Sequence, residues 1–396
     1  MEGKLSEVAR RLTASPIQEL SHLAQRCGAI NLAEGYPDFP APLPVKQAAI
    51  SAINDDLNQY RDVQGVCDLL AMKMKESYSL DTDPLTDYVI SCGQTEAFAA
   101  TVFAIIDRGD EVLLFDPAYE TYETSISLAG GVPVYVALDP PHWSLNMDKF
   151  MKSFTMRTKA VILNSPHNPT GKVFTKEELE VIAGACCNMN CFVITDEVYE
   201  YITYDKQKHI CLASLPGMQE RTIVTSSLSK TFSVTGWRIG WACAPANIAS
   251  TIRNIHIKIT DSAPAPFQEA ALTALKSPKS YYMSLRTEYE ARRDYIVKVL
   301  SELGFEIQYK PQGSVFIFAK LPKNWLHSDV DFVRALIQKA GVAAVPGCGF
   351  FHIDTDSESY QKKYIRFAFC KSEMTLVAAA QKMQDLVNSE EPLQLE

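Results

Sequence analysis

Short apolar, β-branched runs alternate with stretches of helical periodicity between about Asp87 and Pro245, the rhythm of an α/β domain with a mostly parallel sheet. Strands are predicted at Tyr88–Cys92, Glu111–Phe115, Pro133–Ala137, Ala160–Asn164, Cys191–Thr195, Thr222–Ser226 and Ile239–Ala244. That gives a seven-stranded core. Beyond Pro264-Ala265-Pro266 a helix is predicted over Tyr281–Leu303, then strands at Glu306–Tyr309 and Val315–Lys320, a helix over Asp329–Ala340 and a strand at Tyr364–Phe369. This second set reads as a smaller α+β domain. The expected division is an N-terminal arm with part of the small domain (1–44), a large domain (45–275) and a small C-terminal domain (276–396). Met1–Pro44 supplies no strand to the large sheet, so it is expected to pack on the small domain or on a neighbouring subunit.

Composition narrows the class without changing this picture. The 396 residues are 47% hydrophobic and 21% charged, ample for a large core. Net charge is −9, and no Lys/Arg run is long enough to read as a nucleic-acid or membrane patch. Neither is an expected partner. Met1–Leu20 mixes Glu2, Glu7 and Glu19 with Lys4, Arg10 and Arg11, which reads as a structural arm rather than a targeting segment. No run of about 18 apolar residues suggests a membrane span. Ten scattered cysteines suit a reducing compartment, the cytosol by default. Cys186, Cys187 and Cys191 are close in sequence, but no second pair completes a tetrahedral set, so they are expected to be buried and not to hold a metal.

In open α/β sheets, ligands bind beyond the carboxyl ends of the strands. The polar residues of interest collect there. After the first strand, Gly93 turns into Gln94-Thr95-Glu96, a helix start whose free amides suit a phosphate. After the second, Asp116-Pro117-Ala118-Tyr119 presents a ring able to stack on a flat heterocycle. Asn164-Ser165-Pro166-His167-Asn168-Pro169-Thr170-Gly171 follows the fourth strand, and Asp196-Glu197-Val198-Tyr199 the fifth. An acid at the end of so apolar a run is costly unless it meets a cation. The sixth strand leads into Ser227-Leu228-Ser229-Lys230 and on to Arg238. Alone, each has a plainer reading: Lys230 a solvated lysine, Asp196 a helix cap, Arg366 a surface ion-pair residue.

As a set these signals resemble the fold-type I, class I pyridoxal-phosphate aminotransferases. Ser-x-Ser-Lys, the eight-residue step to Arg238, Asn-Pro-Thr-Gly and Asp-x-x-Tyr occur in the family's order, and the likeness runs from Asn31-Leu32-Ala33-Glu34-Gly35-Tyr36-Pro37-Asp38-Phe39 to Tyr364-Ile365-Arg366-Phe367-Ala368-Phe369. Within the family the chain is similar to the kynurenine, methionine and aromatic group, which includes plant enzymes that pair methionine with indole-3-pyruvate in auxin metabolism.

The resemblance implies a role for each matching residue. Lys230 forms an imine with the cofactor aldehyde, which requires an amine partly unprotonated near neutral pH. Asp196 keeps the cofactor ring nitrogen protonated, so that the ring can act as an electron sink. Tyr199 and Asn168 tune the ring hydroxyl oxygen, and Tyr119 stacks on the ring. Gly93, Gln94, Thr95, Ser227, Ser229 and Arg238 hold the phosphate, which Tyr60 reaches from the other subunit of a homodimer with shared active sites. Arg366 anchors the substrate α-carboxylate with Asn164, Asn168 and the backbone near Gly35, while Tyr36 borders the substrate. Lys230 then carries the proton from Cα.

Other readings stay open on sequence alone. A nucleotide-dependent dehydrogenase or kinase lacks its glycine-rich motif here, since Gly171-Lys172 is followed by Val173. A silent binding protein of the same fold should have lost one of Lys230, Asp196, Tyr199 or Arg366, and all are present. β-Elimination from cysteine conjugates would share the same apparatus. Side-chain choice turns on the pocket: Arg61 could meet a distal acid, whereas Tyr36, Tyr119, Phe350, Phe351 and His352 offer aromatic surface for aromatic and methionine substrates.

Overall fold

A computed structural model describes residues 16–323, 325, 327–353 and 361–388. Most of the segment Met1–Leu20, expected to be an arm, therefore lies outside the described residues. In chain order the strands are β1 (Ile30–Asn31), β2 (Tyr88–Cys92), β3 (Glu111–Asp116), β4 (Val132–Asp139), β5 (Ser144–Leu145), β6 (Thr158–Asn164), β7 (Phe192–Asp196), β8 (Thr222–Ser227), β9 (Ile239–Cys243), β10 (Phe316–Lys320), β11 (Val342–Ala343), β12 (Val345–Pro346) and β13 (Tyr364–Ala368).

The large sheet has the order β2-β9-β8-β7-β6-β3-β4-β5. β3, β4, β6, β7 and β8 pair in parallel, and β9 runs against both of its neighbours. The eighth strand, β5, is a two-residue antiparallel edge that the apolar pattern did not mark, because a pair of residues carries no periodicity. Every residue of β3, β8 and β9 is buried, as expected where helices cover both faces. Alternation sorts the side chains: Tyr88, Ile90 and Trp241 join one core cluster, whereas Val89 and Ala242 pack with the helices Gln94–Ile105 and Ala246–Thr260. The helix Lys176–Asn188 begins with a reciprocal cap between Thr175 and Glu178, which fixes where the chain re-enters the sheet at β7.

The parallel arrangement decides where the site lies. The carboxyl ends of β2, β3, β6, β7 and β8 share one edge with the start of β9. Register brings their last residues side by side: Asn164 opposite Asp196, Asp196 opposite Thr225, and Ser227 opposite Gly240.

The smaller sheet, β10-β13-β12, is antiparallel and places Arg366 opposite Phe318 and Val345. β1 pairs with β11, and Leu32 bonds both Ala343 and Ala368, so residues 30–32 are stitched to this part of the molecule. Two predictions are corrected here. Glu306–Tyr309 is no strand: a single bridge from Glu306 to Lys320 is all that forms, since Gln308 and Lys310 give no second buried alternation. The helix at Asp329 is α-helical only to Ala335, then widens into a π turn, Leu336–Ala340, that ends on left-handed Gly341.

Candidate active site

One cavity of about 1110 Å³ opens at the shared strand edge, lined by Gln94, Thr95, Tyr119, Asn164, Asn168, Asp196, Tyr199, Ser227, Ser229, Lys230, Arg238 and Arg366. Gly35 and Tyr36 line it too, with Phe316 and Phe350. Segments distant in sequence thus converge, most of them at one edge of the large sheet and the rest from residues 35–36, β10, the turn at Phe350 and β13.

At one wall the helix Gln94–Ile105 starts with no side-chain cap, which leaves its first amides free for an anion. Gly93 sits at φ +82°, and a Cβ there would collide with the Arg238 guanidinium. A Cβ at Gly240 would strike the Gly93–Gln94 backbone. Both positions need glycine for this close approach. Arg238, held by a 2.8 Å bond to the Thr235 carbonyl, is thereby laid against the helix start, with buried Ser227 and Ser229 beside it. A cradle of amides, hydroxyls and one guanidinium suits a phosphate dianion.

Asp196 forms the floor. It is buried, accepts from the Tyr122 hydroxyl at 2.7 Å and from the Val198 amide at 3.2 Å, and burial lifts its pKa to about 6. No ion pair to it is found among the described residues. A cationic ring nitrogen would supply that missing charge. Asn164 donates to the Asp196 carbonyl at 3.1 Å and accepts from the Asn168 amide at 2.7 Å, which couples the β6 turn to the end of β7. Tyr199 stands edge-on to Phe316 at 6.1 Å, its phenol held well above the usual range by burial. Tyr119 lies edge-on to Tyr122 at 5.7 Å.

Lys230 faces Asp196 across the cavity and donates to the Gly35 carbonyl at 2.7 Å. Burial lowers its pKa, reinforced by the Arg366 charge. That favours the neutral amine a carbonyl would need. Opposite the cradle, Arg366 is 6% exposed and sandwiched between the rings of Phe316 and Phe350 at 4.1 and 4.7 Å. It donates to Asn168 Oδ1 at 3.0 Å and to the Ala33 carbonyl at 2.8 Å, its Nε has no partner, and burial draws its pKa down to about 10. A buried guanidinium whose bonds all go to neutral groups is an anion site in waiting.

Not every candidate enters the cavity. Tyr60 is 78% exposed and outside the lining. Arg61 pairs with Glu269 at 2.7 Å rather than facing the cavity. Phe351 packs near Trp143, while His352 bonds Asp116 at 3.0 Å and stacks on Tyr135, both outside the lining. Cys186 and Cys191 are buried next to each other, and no metal-ligating group of three or more occurs among the described residues. Sequence reasoning missed Tyr122, Phe316 and the Ala33 carbonyl. Tyr122 carried a faint signal, lying one helical turn past Tyr119; the other two carried none.

The donor set fits pyridoxal 5′-phosphate: an anion cradle, a buried acid lacking a cation, and a part-buried amine share one cavity. Comparison with known proteins agrees. Residues 28–383 match the family model described as aminotransferase class I and II. The chain is 35% identical to the methionine aminotransferase of Escherichia coli over 371 residues, covering 93% of this chain and 95% of that one. It is 34% identical to human kynurenine–oxoglutarate transaminase 1 over 415 residues, covering 95% and 97%. The solved structure of N-succinyldiaminopimelate aminotransferase from Mycobacterium tuberculosis superposes with a TM-score of 0.91 at 37% identity, covering 96% of this chain and 99% of that one. With its cavity and its relatives in agreement, the chain belongs to the class I and II aminotransferases and is a pyridoxal-phosphate-dependent enzyme of fold-type I.

Proposed function

We propose that the enzyme moves the amino group of methionine or an aromatic L-amino acid to a 2-oxo acid, such as indole-3-pyruvate, in alternating half-reactions. The observation that carries this reading is the charge of the cavity. Its lysines and arginines among the described lining are Lys230, Arg238 and Arg366, each already matched to a role, while Glu34 and Glu120 line the outer part. A distal carboxylate would meet acids there instead of a second cation. Tyr36, Tyr119, Phe316 and Phe350 supply polarizable surface for an apolar side chain. Relatives that act on methionine and on kynurenine support the same class.

Gln94, Thr95, Ser227, Ser229 and Arg238 would hold the cofactor phosphate, Asp196 its ring nitrogen, Tyr199 and Asn168 its ring oxygen, Tyr119 its face and Lys230 its aldehyde carbon. When bound, the cofactor supplies an electron sink conjugated with the substrate nitrogen. Arg366 binds the substrate α-carboxylate through its free Nε side, and Asn164 and the Gly35 backbone help fix the orientation of Cα. Lys230 Nζ, its pKa lowered by burial, takes the Cα proton. In the reverse half-reaction the same atom returns a proton to the carbon of the incoming 2-oxo acid.

Tyr60 serves the partner's site in a homodimer. Its exposure, and the exposed Leu43, Ile50 and Ile53 on one face of the helix Leu43–Asn54, support such an interface. All ten cysteines are free, which favours a reducing compartment such as the cytosol. No helix among the described residues is long and apolar enough to cross a membrane.

The test is to mix the holoenzyme with single amino acids, follow the cofactor absorbance and identify the 2-oxo acid released. Methionine and aromatic amino acids are expected to change the spectrum. An unchanged spectrum with these, together with rapid change on aspartate, would overturn the substrate assignment. Pyruvate and a free thiol from a cysteine conjugate, without transfer to an acceptor, would favour β-elimination.

A further inference from the structure

Lys371 is a buried lysine for which the aminotransferase reading has no use. It is 1% exposed, yet its ammonium meets no carboxylate within ion-pair distance among the described residues. Instead it donates to the Tyr36 carbonyl at 2.7 Å and lies 3.8 Å from the centre of the Tyr36 ring. Keeping a charge buried with only neutral partners is expensive, and a methionine would fill the same space at less cost.

The Tyr36 peptide is one of three consecutive grips on a single strap. Arg366 holds the Ala33 carbonyl, Lys230 holds the Gly35 carbonyl, and Lys371 holds the Tyr36 carbonyl. Asp38 closes the strap by accepting from the Ser372 amide and from the Thr375 hydroxyl. A Cβ at Gly35 would collide with the Phe316 ring, so this backbone lies directly against that ring. The carbonyl on which the Lys230 amine rests is next in the chain to the one that Lys371 holds.

We propose that Lys371 is a positioning residue for Lys230, fixing the Gly35–Tyr36 peptides so that the amine, whenever it is free of cofactor, rests at the Gly35 carbonyl. This rests on the reading of Lys230 as the catalytic amine. The charge of Lys371 also reaches the amine, and it opposes the hydrogen bond: the Gly35 carbonyl steadies an ammonium, whereas a second positive charge disfavours one. Lys230 faces Asp196 from the end of β7, Arg366 from β13, and Cys370 and Lys371 from the segment after β13; burial lowers its pKa most, and Arg366 and Lys371 lower it further, while Asp196 and Cys370 oppose. Lys371 itself faces Cys370, Asp38 and Glu34. Removing its positive charge should make Lys230 more basic.

The experiment measures acetylation of Lys230 against pH in the full-length chain freed of cofactor, by peptide mass spectrometry, with exposed Lys298 as internal reference. Lys371→Gln keeps a donor for the Tyr36 carbonyl but removes the charge, and should move the Lys230 midpoint upward by about half a unit, so that acetylation below the midpoint slows about threefold. Lys371→Arg should keep the midpoint of the unaltered chain. Lys371→Met removes the donor as well, so the Gly35 carbonyl is no longer held to steady the ammonium and the midpoint should lie below that of Gln; Lys371→Leu carries the same prediction if the Met variant fails to fold. A Met or Leu midpoint equal to that of Gln overturns the proposal, as does an Arg variant displaced as far as Gln. Failure of the underlying reading is separable: borohydride reduction of the holoenzyme would then mark a lysine other than Lys230.

Discussion

The two sides of the cavity are built on different principles. On the cofactor side, Gly93, Asn164, Asp196, Ser227 and Lys230 each lie at or just past the end of a strand, and sheet register alone brings them together. On the substrate side, Arg366 lies within β13 and is completed by Asn168 and Ala33, with rings from Phe316 and Phe350. Those groups meet only through tertiary packing. The difference teaches that the chemistry common to many substrates is fixed by the rigid sheet, whereas substrate contacts depend on a strap and a second sheet that must be brought to it.

Substitutions on the two sides should therefore fail differently. Lys230→Ala gives the largest effect: no other lysine among the described residues lines the cavity to move the Cα proton, so amino transfer should fall by about 10³-fold or more, while the anion cradle should still retain cofactor. Single-turnover rates with retained cofactor absorbance check this, and near-normal turnover would refute the role given to Lys230. Asp196→Asn removes the charge proposed to face the ring nitrogen. Breaking a buried ion pair costs about 3–5 kcal/mol, so kcat should drop by about 10²-fold or more with weakened cofactor retention, measurable by equilibrium dialysis.

How far the sequence revealed each side follows the same division. All seven predicted core strands lie within two residues of their observed ends, β4 running on from Ala137 to Asp139, and with them the cofactor-side residues, because each strand end is marked locally by a change from apolar to polar residues. The strap was not legible. Nothing local to Ala33, Gly35 or Tyr36 shows that their carbonyls meet cations more than 190 residues away. Tyr122 illustrates the boundary: its helix was foreseeable, but its bond to Asp196 depends on how that helix packs beside β7. Glu306–Tyr309 failed because only Glu306 pairs with the end of β10, at Lys320, and the residues after it do not extend that bridge into a ladder.

On the substrate side, Arg366→Lys keeps the charge but loses the planar fork stacked between two rings. Charged hydrogen bonds are worth about 1.5–3 kcal/mol, so kcat/KM for every amino acid should fall by about 10- to 100-fold, chiefly through KM. A loss seen only in kcat would mean that the carboxylate is held elsewhere.

The smallest effect is expected from Tyr122→Phe, and it probes the seam between the two sides. The Tyr122 hydroxyl donates to the ionised Asp196 carboxylate, which opposes the lift that burial gives its pKa. Losing a bond to the charged form raises the pKa of an acid, so Asp196 should climb further above its value of about 6. One hydrogen bond of about 1 kcal/mol corresponds to somewhat less than one pH unit. In the chain freed of cofactor, the Asp196 midpoint, read by an infrared pH titration as the carboxyl signal that Asp196→Asn lacks, should move upward by about that amount. An unmoved midpoint would mean instead that Tyr122 matters through packing against Phe98, 5.0 Å away, and not through the carboxylate.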